Sequence, residues 1–297
     1  MPSSGLADVI AALEGQALPA RAGVISLTKG LVPPDGTPPT LALERAFGTT
    51  RVGCIGGPAH AREMVESGAG LVCASHSEVL AKGTAELFQA AGVVCEVSDD
   101  PVGVELAGCA KNAAALAAGA TESQGLNAAG MAASDIFTEV VALAEHDGGR
   151  ARTFLGRAGT GDLVATALAP SSRNRSAGEL LAQGVPAAEI PARLGQTSEA
   201  LETVPQLARA IDAAGLEAPI TSALAALIAG TLPLDEWVAK RPRRIRVPRR
   251  PLRDLVAPDA GAQAYGAWRL RGTREQSRAG QGDRWRWPPR VSAGGLR

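Results

Sequence analysis

"VVCEVSDDPVGVELAGCAKNAAAL", residues 93–116, is where one kind of chain turns into another. Its first eight residues hold three β-branched valines and close on two aspartates, a pattern that suits a strand. The remainder is apolar and small, with alanine dense enough to predict a buried, tightly packed helix. In the middle of that helix Lys111 and Asn112 stand side by side. A buried ammonium is costly unless paired, and burial lowers a lysine's pKa. That makes the amine usable as an acid or base near neutral pH. The other reading is a helix whose lysine faces solvent, and the stretch alone leaves both open.

Working outward toward the N-terminus, strands and helices alternate. Residues 5–15 read as a short amphipathic helix. "AGVISLTKG" (22–30) is a strand with polar residues at its end, and "PPDGTPP" (33–39) is a loop. A helix over 40–48 precedes "RVGCIGGPAHAREMVES" (51–67), which reads as strand, Gly-Gly-Pro turn and helix. A strand over 69–75 and a helix over 77–91 lead to the strand at 93–100. This alternation predicts a mostly parallel α/β sheet. Beyond Asp100 helices are expected at 101–120, 128–147, 176–194, 198–214, 219–230 and 233–240, with no strand among them. The fold class is therefore α/β followed by all-α. The predicted domains are residues 1–100, an α/β domain, and 101–240, an all-helical domain.

At Lys240 the composition breaks. Residues 1–240 hold 15 Lys and Arg against 26 Asp and Glu, while 241–297 hold 15 Arg against 4 acids, so a total charge of zero hides two opposite halves. The Arg-, Pro- and Gly-rich tail carries Trp268, Trp285 and Trp287 and shows no helical or strand period. It is predicted to be disordered. An altered reading frame is one origin that would give so abrupt a switch. The cysteines Cys54, Cys73, Cys95 and Cys109 are widely spaced and form no CxxC pair, which predicts reduced thiols in a cytoplasmic protein. The three histidines, His60, His76 and His146, have no ligand spacing, so no metal site is expected. The first residues lack a signal peptide's pattern, and no run approaches a membrane span in apolar length.

Four motifs carry candidate chemistry. Lys111-Asn112 is the first. The second is "GRAGTGDLVATALAPSSRNRSAGELLAQG" (156–184), in which Gly156, Gly159 and Gly161 give a flexible backbone before Asp162. Thr166 and the run Ser171-Ser172-Arg173-Asn174-Arg175 follow it, and a guanidinium with neutral donors ahead of a helix suits a phosphate. "GTGDLV" within it is no dinucleotide fingerprint, since no strand precedes it and the third glycine is missing. The third is "SLTKG" (26–30), which sets Lys29 at the strand end where α/β sheets bind ligands. The fourth is "GGPAHA" (56–61), whose glycines allow close backbone approach. Each also fits a plain reading on its own, as a solvated lysine, a polar turn or a strand-helix turn.

Together, "SLTKG", "GGPAHA", "DDPVGVELAGCAKN", "GTGDLVATALAPSSRNR" and "GQTSEA" resemble, in order and spacing, the bacterial-type NAD(P)-dependent glycerol-3-phosphate dehydrogenases. The resemblance covers about residues 5–240. It implies a Rossmann-like parallel sheet followed by a helical substrate domain, NAD or NADP as cofactor, and interconversion of dihydroxyacetone phosphate and sn-glycerol 3-phosphate in phospholipid precursor synthesis. It implies that Lys111 is the catalytic lysine. Lys29, Gly57, Asn112, Asp162, Ser172, Arg173 and Asn174 are implied as substrate contacts, and Lys29, Ala61, Arg173 and Glu199 as cofactor contacts. A homodimer is a further possibility for such a fold.

The sequence also departs from that pattern. The family opens on a strand and a Gly-rich turn for the cofactor pyrophosphate, and no GxGxxG run occurs in this chain. The expectation is a partial dinucleotide-binding domain without its first strands and with an open sheet edge. Ala59 stands where the family usually has Ser or Thr, and Ala200 where glycine is common. Two alternative functions stand beside the main one: an inactive remnant that at most binds a triose phosphate, and nucleic-acid binding through the basic tail. The tail's lack of a regular element argues against the latter.

Overall fold

The structure, a computed structural model, describes residues 3–16, 18–169 and 172–239. The basic tail from residue 241 and Ser171 therefore lie outside the described residues. In chain order come α1 (Leu6–Glu14), β1 (Val24–Ser26), α2 (Pro39–Phe47), β2 (Val52–Gly56), α3 (Ala61–Ser67), β3 (Gly70–Ala74), α4 (Glu78–Ala90) and β4 (Val94–Ser98). Helices alone follow: α5 (Pro101–Gly119), α6 (Leu126–His146), α7 (Ala151–Leu155), α8 (Asp162–Leu168) and α9 (Arg173–Ala182). The last are α10 (Ile190–Leu194), α11 (Glu199–Ala213), α12 (Pro219–Ile228) and α13 (Leu234–Ala239).

The four strands form one sheet in the order β1-β2-β3-β4. β1 with β2, and β3 with β4, are parallel as the alternation predicts, but β2 and β3 are antiparallel. The sheet is thus mixed where a parallel one was expected, and the cause is α3. A helix of seven residues rises roughly 10 Å, too little to run back along a five-residue strand of roughly 17 Å. The chain therefore re-enters the sheet from the end at which it left. Gly57 makes that reversal at φ +104°, where a Cβ would stand 2.7 Å from the Gly70 carbonyl oxygen.

Side chains alternate between the two faces of the sheet. Cys54, Val72 and Ala74 join the main core with α5, while Ile55, Leu71 and Cys73 pack with Ala85 of α4. α5 is buried along nearly its whole length. Asp100 caps its N-terminus by accepting from the Gly103 amide at 2.8 Å, and Pro101 occupies the first turn, where no amide proton is needed. α6 lies along α5 with Ala132, Ile136, Val140 and Ala144 buried. α6 has 21 residues and an 18-residue window of mean hydropathy 1.2, so by length and composition alone it passes for a membrane span, a feature that the reading for apolar runs passed over. α9 also packs on α5, and only glycine allows the approach. A Cβ on Gly178 would overlap the Leu116 carbonyl oxygen, and one on Gly119 the Arg175 carbonyl oxygen.

Two helical expectations change. The helix expected over 176–194 is two, α9 and α10, because Gly184 takes φ +79° and Pro186 cannot continue a helix. The segment read as flexible glycine backbone before Asp162 is instead ordered, with α7, a π-helical turn at Arg157–Gly161, and α8 running on from it. Gly159 belongs to that turn because a Cβ would fall on the backbone of Phe154.

Candidate functional site

Five elements bring their chemistry to one place. Lys111 and Asn112 lie mid-way along α5. Asp162 opens α8 directly after the π-turn, an irregularity that often re-aims a side chain at functional sites. Thr166 stands one turn further along α8. Lys29 follows β1 on a loop anchored by the fully buried Leu31. Ser172 caps α9 by accepting from the Arg175 amide, which sets Arg173 and Asn174 in its first turn. Glu199 begins α11.

Asp162 is 1 % exposed and engages two lysines at once. Its Oδ2 lies 3.0 Å from Lys29 Nζ and its Oδ1 3.5 Å from Lys111 Nζ. Lys111 Nζ also donates to Thr166 Oγ1 at 3.2 Å. The ammonium is buried, so the solvent-facing reading of Lys111 falls away. Burial holds its pKa below the ordinary lysine value, Lys29 pushes the same way, and Asp162 and Glu199 oppose them. A second set of bonds runs across α5, α9 and α11. Asn174 Nδ2 donates to Asn112 Oδ1 at 2.9 Å, and Asn112 Nδ2 donates to Glu199 Oε2 at 3.0 Å.

These groups border a cleft of about 900 Å³. Lys29, Ala61, Lys111, Asn112, Ser172, Arg173, Asn174 and Glu199 all line it, together with Thr166 and Ala59. Gly57 is not among the lining residues, and its close approach to β3 accounts for the glycine there. Asp162 also stands behind the lining. The resemblance implied a substrate contact for it, but both of its oxygens face lysines. His60, Arg62 and Gln196 line the cleft without having been singled out. His60 and Arg62 lie in or beside the "GGPAHA" turn, and that was the signal available for them.

A further buried carboxyl sits on α5 away from the cleft. Glu105 accepts from the Thr40 amide at 3.0 Å and from Thr40 Oγ1 at 2.6 Å, fixing the N-terminus of α2. Burial pushes its pKa up to about 8, against the opposing Thr40 bonds. Sequence reading missed it because one glutamate in an alanine helix carries no pattern.

Comparison with known proteins bears on these residues. A family model described as "NAD-dependent glycerol-3-phosphate dehydrogenase C-terminus" matches residues 100–239. A protein of Methylibium petroleiphilum named glycerol-3-phosphate dehydrogenase [NAD(P)+] is 33 % identical over 246 residues, 82 % of this chain and 73 % of that protein. A Ralstonia nicotianae protein of the same name is 35 % identical over 237 residues, 75 % of this chain and 68 % of its own length. The crystal structure of glycerol-3-phosphate dehydrogenase from Coxiella burnetii superposes with a TM-score of 0.71 at 26 % identity, over 80 % of this chain and 74 % of that one.

Proposed function

The chain belongs to the NAD-dependent glycerol-3-phosphate dehydrogenase family, and from that premise we propose that it interconverts dihydroxyacetone phosphate and sn-glycerol 3-phosphate at the cleft around Lys111. One observation carries the assignment: the two lysines Lys29 and Lys111 share the buried carboxylate of Asp162 at the edge of a cleft also lined by Arg173 and Asn174. That pairs a tuned proton donor with a phosphate-binding group in one cavity. We read residues 1–100 as the cofactor-side domain and 101–240 as the substrate domain.

Lys111 gives a proton to the C2 oxygen in the direction of reduction and takes it back in the direction of oxidation. Its depressed pKa suits it to both. Asp162 keeps the two ammonium groups in register. Lys29 places a second positive charge beside the carbonyl oxygen as negative charge develops on it. Ser172, Arg173 and Asn174, at the first turn of α9, hold the substrate phosphate, where the helix N-terminus adds its own positive end. Asn112 orients the substrate hydroxyl. The nicotinamide cofactor, NAD or NADP, supplies or receives the hydride at C2 when it is bound. The cleft suits it in size, and Lys29, Ala61, Arg173 and Glu199 all line that cleft. Free thiols at Cys54, Cys73, Cys95 and Cys109 support a cytoplasmic setting. The product fits a role in supplying the glycerophospholipid backbone.

The test is oxidation of NADPH and of NADH on adding dihydroxyacetone phosphate, with Lys111→Ala as control. Turnover in the parent that falls by roughly 10²–10⁴-fold in the variant is expected for loss of a positioned acid. A folded parent without turnover on either cofactor would favour the remnant that only binds triose phosphate.

A further inference from the structure

Ser198 occupies the N-cap of α11 and makes no cap bond to its own helix. An N-cap serine ordinarily accepts from an amide two or three residues on. Instead its Oγ turns across to α9 and donates to Asn174 Oδ1 at 2.9 Å. The capping of α11 passes to Asn174, whose Oδ1 also accepts from the Ala200 amide at 3.2 Å. Both lone pairs of that oxygen are thereby used. A backbone N–H can only donate, so Asn174 must face Ala200 with its oxygen. Its NH₂ then points to Asn112, and Asn112 must present its own oxygen and send its NH₂ to Glu199. Each of the two asparagines keeps one N–H with no protein partner among the described residues, and both side chains line the cleft.

We propose that Ser198 is a positioning residue which, with the Ala200 amide, fixes the amide polarity of Asn174 and Asn112, so that N–H groups are left to meet the oxygens of an anionic ligand. The two donors divide the work. The Ala200 amide sets the sign of the chain of bonds, and the Ser198 hydroxyl holds Asn174 in the one rotamer that completes it. Ser198, Asn174 and Asn112 are all buried, so the bonds among them form in a low-dielectric setting that strengthens them. The ligand side of the proposal rests on the triose-phosphate reading above, whereas the chain of bonds does not.

Two readouts on the full chain separate these parts. The first is the set of side-chain NH₂ resonances of ¹⁵N-labelled asparagine, without ligand. In Ser198→Ala the signals of Asn174 and of Asn112 should both move, although Asn112 does not touch Ser198. Ser198→Thr, which keeps the hydroxyl, should restore them. The second is calorimetric binding of dihydroxyacetone phosphate. Ser198→Ala should weaken it threefold to tenfold, as loss of one hydrogen bond does. Ser198→Thr should bring it back to within twofold, and Ser198→Ala should add nothing in an Asn174→Ala background. The proposal is overturned if Asn112's signals stay in place in Ser198→Ala, or if the loss in binding is the same with and without Asn174. A parent chain that binds no dihydroxyacetone phosphate, with Asn112 still following Ser198, overturns the substrate reading and leaves the positioning role standing.

Discussion

Lys111 is surrounded by groups that move its pKa in opposite directions, and this gives a test with two signs. Lys29 lowers it and Asp162 raises it, while burial lowers it most. Lys29→Met should therefore raise the titration midpoint of the Lys111 amine, and Asp162→Asn should lower it further. The ¹⁵N shift of labelled lysine against pH measures both, and shifts of the same sign would contradict the assigned environment. Asp162→Asn also leaves the buried Lys111 ammonium and the part-exposed Lys29 without their shared carboxylate, so it should lower stability, by at most the roughly 3–5 kcal/mol that breaking a fully buried pair costs. Glu105 makes a separate prediction about stability. Its carboxyl keeps a proton in the folded chain up to about pH 8, whereas the ordinary glutamate value is 4.5. Between those values unfolding releases a proton, so its contribution to stability is complete below about pH 4.5 and falls as pH rises toward 8. Glu105→Gln, which still accepts from Thr40, should flatten the fall in Tm over that window. An unchanged slope in the variant would mean that Glu105 ionises in the folded state as it does in the unfolded one. Of these residues Lys111 was legible, because a lysine beside an asparagine in an alanine helix stands out. Glu105 and Ser198 were not, because their roles depend on partners 65 and 24 residues distant.

At the scale of elements, the site depends on how closely α9 approaches α5. Gly178 lies one turn beyond Asn174, and a methyl group there would meet the Leu116 carbonyl oxygen. Neither helix backbone can yield locally, so Gly178→Ala should push α9 away and stretch the Asn174–Asn112 bond. The expected cost is about 1–3 kcal/mol from overpacking, with weaker binding of dihydroxyacetone phosphate alongside. Gly83→Ala in α4 and Gly130→Ala in α6 are the controls, since a Cβ at either meets nothing within 4 Å. Both should be neutral or stabilise by up to about 1 kcal/mol. Chemical denaturation of the three variants decides the matter, and equal losses in all three would remove the helix-approach argument. The same glycines explain what sequence reading did and did not see. Long periodic helices such as α5, α6 and α11 were placed within two residues of their observed ends. The π-turn was read as flexible backbone because glycine usually breaks helices, and α8 was not expected as a helix. Gly159 is present for close packing against Phe154, which no local pattern announces. The antiparallel step between β2 and β3 was hidden for a related reason: it depends on the length of α3, not on the character of either strand.

At the scale of the whole molecule, the cleft is shared by the sheet and the helices. Lys29 and Ala59 to Arg62 come from the strand-rich part, and Lys111, Thr166, Arg173 and Glu199 from the helices beyond Asp100. A ligand that touches both groups binds only the state in which they are assembled, so it stabilises that assembly by mass action. At a concentration one hundred times its Kd the gain is about 2.7 kcal/mol. For a chain of this size that corresponds to a rise of roughly 5–10 °C in Tm. Dihydroxyacetone phosphate should therefore raise the midpoint of a single unfolding transition seen by both near-UV and far-UV circular dichroism. Lys29→Met, altered only on the sheet side, and Arg173→Ala, altered only on the helical side, should each reduce the rise. If Arg173→Ala abolished it and Lys29→Met left it whole, the ligand would be held by the helical part alone. The pairing of Lys29 with Asp162 would then belong to the packing of the chain and not to its chemistry.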